Sequence, residues 1–249
     1  MQALEGKVAL VTGGSRGLGR EMVLGYAAAG AEVVIASRKL DACAALAEEV
    51  TKTYGVRAFP VACHVAKWPE IDAMVETVYA EFGRVDVLVN NAGMSPLYPS
   101  LAEVSEDLFD KTVGVNFKGP FRLSAVVGQR MVDGAGGSII NVSSVAGLKP
   151  SPTDLPYGAA KAALENLTLG FAQAYGPSVR VNTIQAGPFL TDVTKAWDME
   201  SFNRFAERFP LRRAGNPDEV VGAAIYLASD ASSFMTGATL RLDGGVALV

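Results

Sequence analysis

The sequence predicts one α/β domain built on a doubly wound parallel sheet of about seven strands flanked by helices, and three observations carry that prediction. Apolar strand-like runs alternate with helical stretches from Val8 to Leu242, the order that a parallel sheet with crossover helices requires. A buried strand, a glycine turn and a helical pattern follow one another directly between Val8 and Gly19. The 249 residues hold no low-complexity run, internal repeat or Pro/Gly-rich boundary, so residues 1–249 are read as a single unit.

Taken in order, the first strand is expected near 7–12, around the apolar run Val8-Ala9-Leu10-Val11-Thr12. The turn after it is Gly13-Gly14-Ser15-Arg16-Gly17-Leu18-Gly19. In this context Gly13 permits a tight turn, Gly17 lets the backbone approach a pyrophosphate, and Gly19 lets the helix pack on its strand. The helix N-terminus adds free amides and a positive dipole end, so the segment suits a dinucleotide. Further strands are expected near 31–37, 56–62, 85–90, 137–143, 179–185 and 238–242, with helices between them. A helix near 157–175 carries the most informative residues of the chain.

Those residues are Tyr157 and Lys161, one helical turn apart, and Ser144, which a strand end delivers. A phenol has a pKa of ~10 and is a poor acid or base near neutrality unless its surroundings stabilise the phenolate. An ammonium at ~4 Å in an effective dielectric of ~20 contributes ~4 kcal/mol, or ~3 pKa units, against which desolvation works. The spacing therefore predicts that Lys161 brings the Tyr157 phenol within reach of working pH, an acid/base site without histidine.

Thr12-Gly13-x-x-x-Gly17-x-Gly19, Asn90-Asn91-Ala92-Gly93, Asn116, Ser144 and Tyr157-x-x-x-Lys161 together resemble the short-chain dehydrogenase/reductase family, over nearly the whole chain and in the family's order. Ser144 precedes Tyr157 by thirteen residues, as in that family, which selects it over Ser143; strand alternation turns Ser143 to the other face. The resemblance implies a Rossmann-type fold, hydride transfer between nicotinamide and a carbonyl or secondary alcohol, and Asn116, Ser144, Tyr157 and Lys161 as the catalytic set. Tyr157 is then general acid and base, Ser144 binds the substrate oxygen, Lys161 also holds the nicotinamide ribose, and Asn116 holds a water of the proton relay.

The second strand ends in Ser37-Arg38, where an NAD enzyme usually offers an acid to the ribose hydroxyls and an arginine accommodates a 2′-phosphate. With Arg16 in the glycine turn, this predicts NADP(H) in preference to NAD(H). By resemblance the cofactor lies on Gly13, Ser15, Arg16, Gly17, Leu18, Gly19, Ser37, Arg38, His64, Val65, Asn90, Ala92, Gly93, Tyr157, Lys161, Gly187, Phe189 and Thr191. The chain departs from the family at His64, where an adenine-contacting acid is usual, and at Ala186, where a proline is usual. His64 either contacts adenine or fills the edge of that pocket; Ala186 implies a looser loop, stiffened again by Pro188.

A net charge of −4 without a basic block argues against nucleic acid, and no apolar run reaches a membrane span, so a cytoplasmic protein is expected. Two cysteines and one histidine do not make a zinc site, and Cys43 and Cys63 read as buried thiols. Substrate choice falls to the turn 148–156 and a lid near 188–217, where Phe202, Phe205 and Phe209 share a helical face as lid or core, and Arg204 and Arg208 form a solvated face paired in part with Glu200. The leading specific expectation is a 3-oxoacyl-thioester reductase, although the Ala135 and Ser178 neighbourhoods lack the basic residues that carrier-protein docking favours. A sugar, polyol or general ketone dehydrogenase is the alternative, and a catalytically silent NADPH sensor or scaffold is the reading from another class. Ala159, Ala163, Leu167 and Phe171 on the active helix, with the C-terminal segment from Leu240 to Val249, suggest a homotetramer, with a dimer as fallback.

Overall fold

The computed structural model describes residues 2–192, 194 and 198–248. Its centre is a seven-stranded parallel sheet in the order β3-β2-β1-β4-β5-β6-β7. The strands are β1 (Val8–Thr12), β2 (Glu32–Ser37), β3 (Ala58–Ala62), β4 (Val87–Asn90), β5 (Gly137–Ser144), β6 (Val179–Ala186) and β7 (Thr239–Leu242). Each lies within two residues of its expected place. The helices are α1 (Gly17–Ala28), α2 (Leu40–Tyr54), α3 (Trp68–Phe82), α4 (Glu106–Val113), α5 (Gly119–Val132), α6 (Leu155–Tyr175), α7 (Met199–Ala206) and α8 (Val221–Ala228).

Side-chain alternation along the strands divides the core into two layers. Ala9 and Val11 of β1 join Met22, Leu46, Val50 and Leu227 on the α1, α2 and α8 side. Val8 and Leu10 join Ile71, Val78, Leu123 and Val127 on the α3 and α5 side. Strands covered on both faces need continuous β-branched and aliphatic runs, which is why the Val-rich segments were legible. The helices stop where the chain supplies glycine: α2 and α3 end at Gly55 and Gly83, both left-handed.

The order reverses between β1 and β4, whose carboxyl ends diverge into the glycine turn and the Asn90–Gly93 segment. Such a switch point opens a crevice for a ligand beyond the strand ends. The loops after β4, β5 and β6 form the other wall of that end. The excursion after β6 leaves and returns at one place: Phe189 and Gly215 form an isolated parallel bridge, with Leu190 N–H donating to the Gly215 carbonyl at 2.9 Å. Part of the expected lid, residues 193 and 195–197, lies outside the described residues.

Candidate active site

The glycine turn is held by the side chains of Thr12 and Asn91. Thr12 Oγ1 accepts from the backbone N–H groups of Asn91 and Ala92 at 3.1 and 3.2 Å, and Asn91 Nδ2 donates to the Thr12 carbonyl at 2.9 Å. A Cβ at Gly19 would lie 2.2 Å from the Gly13 carbonyl oxygen, and Gly13 itself has φ +63°. These glycines keep open a shallow cradle against which a pyrophosphate can lie on backbone amides. Thr191 closes over it, its Cβ 3.5 Å from where a Gly17 Cβ would stand.

At the end of β2, Ser15 Oγ donates to Ser37 Oγ at 3.1 Å, and Ser37 Oγ lies 3.0 Å from the Cys43 thiol. Arg16 and Arg38 are exposed beside this pair. Both cysteines are buried and free, and burial pushes the Cys43 and Cys63 thiols up, the latter to about 12. His64 Nδ1 accepts from the Ala66 N–H at 3.3 Å, so the side chain caps the turn after β3. Val65 is buried, with its backbone carbonyl packed against Gly119 at the start of α5. Asn90 donates its side-chain amide to Ser124 and Asn141 at 3.0 and 2.8 Å, so it ties β4 to β5 and offers the crevice only its backbone.

Ala92 and Gly93 lead into Met94, which Asn116 grips: Asn116 Nδ2 donates to the Met94 and Thr112 carbonyls at 2.8 Å each, and its Oδ1 accepts from Met94 N–H at 3.2 Å. Asn116 is fully buried in a π-type turn, Gly114–Lys118, that joins α4 to α5. A Cβ at Gly93 would lie 3.1 Å from Asn116 Oδ1 and 3.6 Å from Lys161 Nζ, so glycine there leaves the lysine reachable. Gly187 is held against Asp243 and Phe189 is buried, anchoring the start of the lid. Ala186 ends β6 in register with Ser144 and Leu242, so the sheet restrains the backbone at the position where the family has proline.

Ser144 ends β5 and accepts from Ala146 N–H at 3.2 Å, capping a 3-10 turn. The Ser144 hydroxyl is also hydrogen-bonded to the Tyr157 phenol. Ser143 points the other way, to Glu165 and the Lys161 carbonyl. Lys161 is 3% exposed, and its Nζ donates to the Val142 carbonyl at 2.7 Å while lying 5.7 Å from the centre of the Tyr157 ring. The ammonium thus lies over the phenol ring while its hydrogen bond goes to the Val142 carbonyl. Burial pushes the Tyr157 phenol up, with the Ser144 hydrogen bond opposing and Asp154 reinforcing that shift. Burial likewise brings Lys161 down to about 8, partly opposed by Glu165.

Tyr98 has no counterpart in the sequence reading. Its hydroxyl donates to the Pro152 carbonyl and accepts from Leu155 N–H, each at 2.8 Å, stapling the post-β4 loop to the turn before α6. Among the described residues no His/Cys/Asp/Glu group suits a metal ion, and no helix is long and apolar enough to cross a membrane.

A parallel sheet with a crevice at its switch point and a hydroxyl–phenol–ammonium grouping beside it defines an oxidoreductase acting on CH–OH and C=O groups with a nicotinamide cofactor. The chain belongs to the short-chain dehydrogenase/reductase family: the family model described as enoyl-(acyl carrier protein) reductase matches residues 13–247. It is 38% identical to a D-threitol dehydrogenase of Mycolicibacterium smegmatis, over 97% of this chain and 93% of the relative. It is 35% identical to a 3-oxoacyl-(acyl-carrier-protein) reductase of Thermotoga maritima, over 98% and 99%. Its fold matches the NADPH-dependent 3-quinuclidinone reductase of Rhodotorula rubra with a TM-score of 0.94 at 28% identity, covering 100% of this chain and 94% of that one.

Proposed function

We propose that the chain is an NADP(H)-dependent reductase of 3-oxoacyl thioesters, with Asn116, Ser144, Tyr157 and Lys161 as its catalytic set. The observation that carries the substrate choice is an apolar rim. Leu97, Leu148, Leu155 and Leu190 are 76, 49, 40 and 39% exposed on the loops that follow β4, β5 and β6, where an acyl chain would lie. A bound nicotinamide supplies or accepts the hydride. In reduction Tyr157 gives its proton to the substrate oxygen; in oxidation it takes the hydroxyl proton, while Ser144 donates to that oxygen. Lys161 holds the ribose and Asn116, through its grip on Met94, sets the floor beneath it.

The glycine cradle, Ser15, Ser37, Arg38 and the flanking Arg16 are the residues that would hold NADP(H), with Ala92, Gly93, Gly187 and Thr191 on the nicotinamide side. No carboxylate stands at the end of β2 to favour unphosphorylated ribose. NADPH oxidation with acetoacetyl-CoA, with Tyr157→Phe as the blank, tests the reading. Tyr157-dependent turnover of the thioester supports it, and turnover confined to sugars, polyols or simple ketones sinks it.

A sugar or polyol dehydrogenase is the second reading, and Asp154 is what favours it. This half-buried carboxyl begins α6, is pushed up by burial, and is electrostatically coupled to Tyr157. A carboxylate there accepts from substrate hydroxyls and opposes an anionic substrate. Carrier docking gains little from the expected surface: Ala135 and Ser178 do share a cavity of about 260 Å³ with Lys7, Arg84 and Arg180, correcting the neighbourhood read from sequence. That cavity lies at the amino ends of the strands, away from the site, and Lys7 and Arg84 are paired with Asp230 and Asp86.

A homotetramer belongs to the same proposal. Ala159 is exposed and Ala163, Leu167 and Phe171 are half-buried on α6, and Phe234 and Leu248 are 107 and 76% exposed near the C-terminus, whose last residue lies outside those described. Light scattering at micromolar concentration giving a monomer would rule out both tetramer and dimer.

A further inference from the structure

We infer that Glu165 is the counter-charge that keeps the Lys161 ammonium charged during turnover, held in place by a polar row across the sheet. This rests on the reading above that Lys161 holds the cofactor ribose as a cation. Ser143, Gln185 and Arg241 are register partners on β5, β6 and β7, side by side under α6. Glu165 descends onto this row from one turn beyond Lys161. Its Oε1 accepts from Ser143 Oγ and from Gln185 Nε2, both at 2.7 Å, and Gln185 Oε1 accepts from Arg241 Nε at 2.7 Å. Ser143 Oγ also lies 3.1 Å from the Lys161 carbonyl, so one hydroxyl ties the carboxylate to the lysine's own backbone.

The need for such a group follows from the lysine's surroundings. Lys161 Nζ has a neutral carbonyl at 2.7 Å and an aromatic ring, and among the described residues it forms no ion pair. Glu165 is the carboxylate whose attraction opposes the burial penalty on the lysine. The other charges around α6 are engaged or distant. Asp107 pairs with Lys111 on α4, Arg122 and Arg130 of α5 pair with Asp72 and Glu76, and Asp110 and Lys118 are exposed. Asp154 acts on Tyr157, Lys149 belongs to the exposed turn, Arg180 binds backbone carbonyls at the far end of β6, and Arg241 is already bonded to Gln185. Glu165 acts through Lys161 and is a positioning residue.

The test is NADPH affinity by fluorescence titration from pH 6 to 9.5 in a Tyr157→Phe background, which removes the phenol's own titration. Affinity should fall as pH rises through the lysine's titration, because the deprotonated amine is a weaker partner for the ribose. Glu165→Gln keeps acceptors for Ser143 and Gln185 while deleting the charge, and should move that fall downward by on the order of one pH unit. Glu165→Asp should leave it near its original place, and Glu165→Met serves if the amide variant does not fold. Lys161→Ala identifies the titrating group by abolishing the fall. A Lys161-dependent fall that stays put in both Glu165→Gln and Glu165→Met overturns the proposal alone. A fall that survives in Lys161→Ala overturns the reading of Lys161 and the proposal with it.

Discussion

The two walls of the crevice are built by different means. On the β1–β4 side the backbone makes the surface: glycines whose added Cβ atoms would strike a carbonyl or an amide, a Thr12–Asn91 clamp, and a serine pair at the end of β2. On the β5–β6 side long side chains make it, with leucines standing in solvent on loops joined by a single phenol. A backbone surface admits one ligand shape and tolerates no added atom. A side-chain surface can be re-lined by substitution without disturbing the sheet, so cofactor use is fixed by geometry and substrate choice by composition.

The largest effect expected is at the seam between the walls. Tyr157→Phe should lower kcat by about 10²–10⁴-fold with NADPH affinity retained, checked by steady-state rates beside cofactor titration; near-normal turnover would refute the acid/base assignment. Gly19→Ala attacks the backbone wall alone. Overpacking of ~1–3 kcal/mol should weaken NADPH and NADH together by about 5- to 150-fold, and calorimetric titration showing unchanged binding would mean the turn adapts. Arg38→Ala should weaken NADPH by ~1.5–3 kcal/mol and leave NADH alone; an equal loss for both removes the argument for NADP(H). Smallest is Tyr98→Phe, which deletes both bonds of the staple at a cost of about 1 kcal/mol. It should change KM for substrate a few-fold without touching cofactor affinity, and a change in cofactor affinity would show that the walls are not independent.

The same division decides what the sequence revealed. Strand positions were legible because doubly covered strands must be runs such as Val8 to Thr12, and the cradle because backbone surfaces leave glycines at fixed spacing. The grouping of Ser144 with Tyr157 followed from spacing as well, and the two side chains are hydrogen-bonded. The direction of the Lys161 side chain was not legible. Helical spacing places it on the face of Tyr157, but the Val142 carbonyl competes for the ammonium, and that contact depends on how β5 meets α6. Tyr98 and the Glu165 row were invisible for a like reason: their partners lie 54–57 and 20–22 residues away, and neither leaves a periodic trace.

The bridge between Phe189 and Gly215 brings the two ends of the intervening chain to one point. Gly215 permits the crossing, since a Cβ there would lie 2.7 Å from the Phe189 ring. With both ends pinned at one point, the closure entropy of a longer excursion is small, about 0.6 kcal/mol for each doubling. What fastens the excursion to the body is the buried Phe209 and the bond from Leu211 N–H to the Gly244 carbonyl. The length of this excursion can therefore change on the Phe189 side of Phe209 while the sheet and the glycine turn keep their shape.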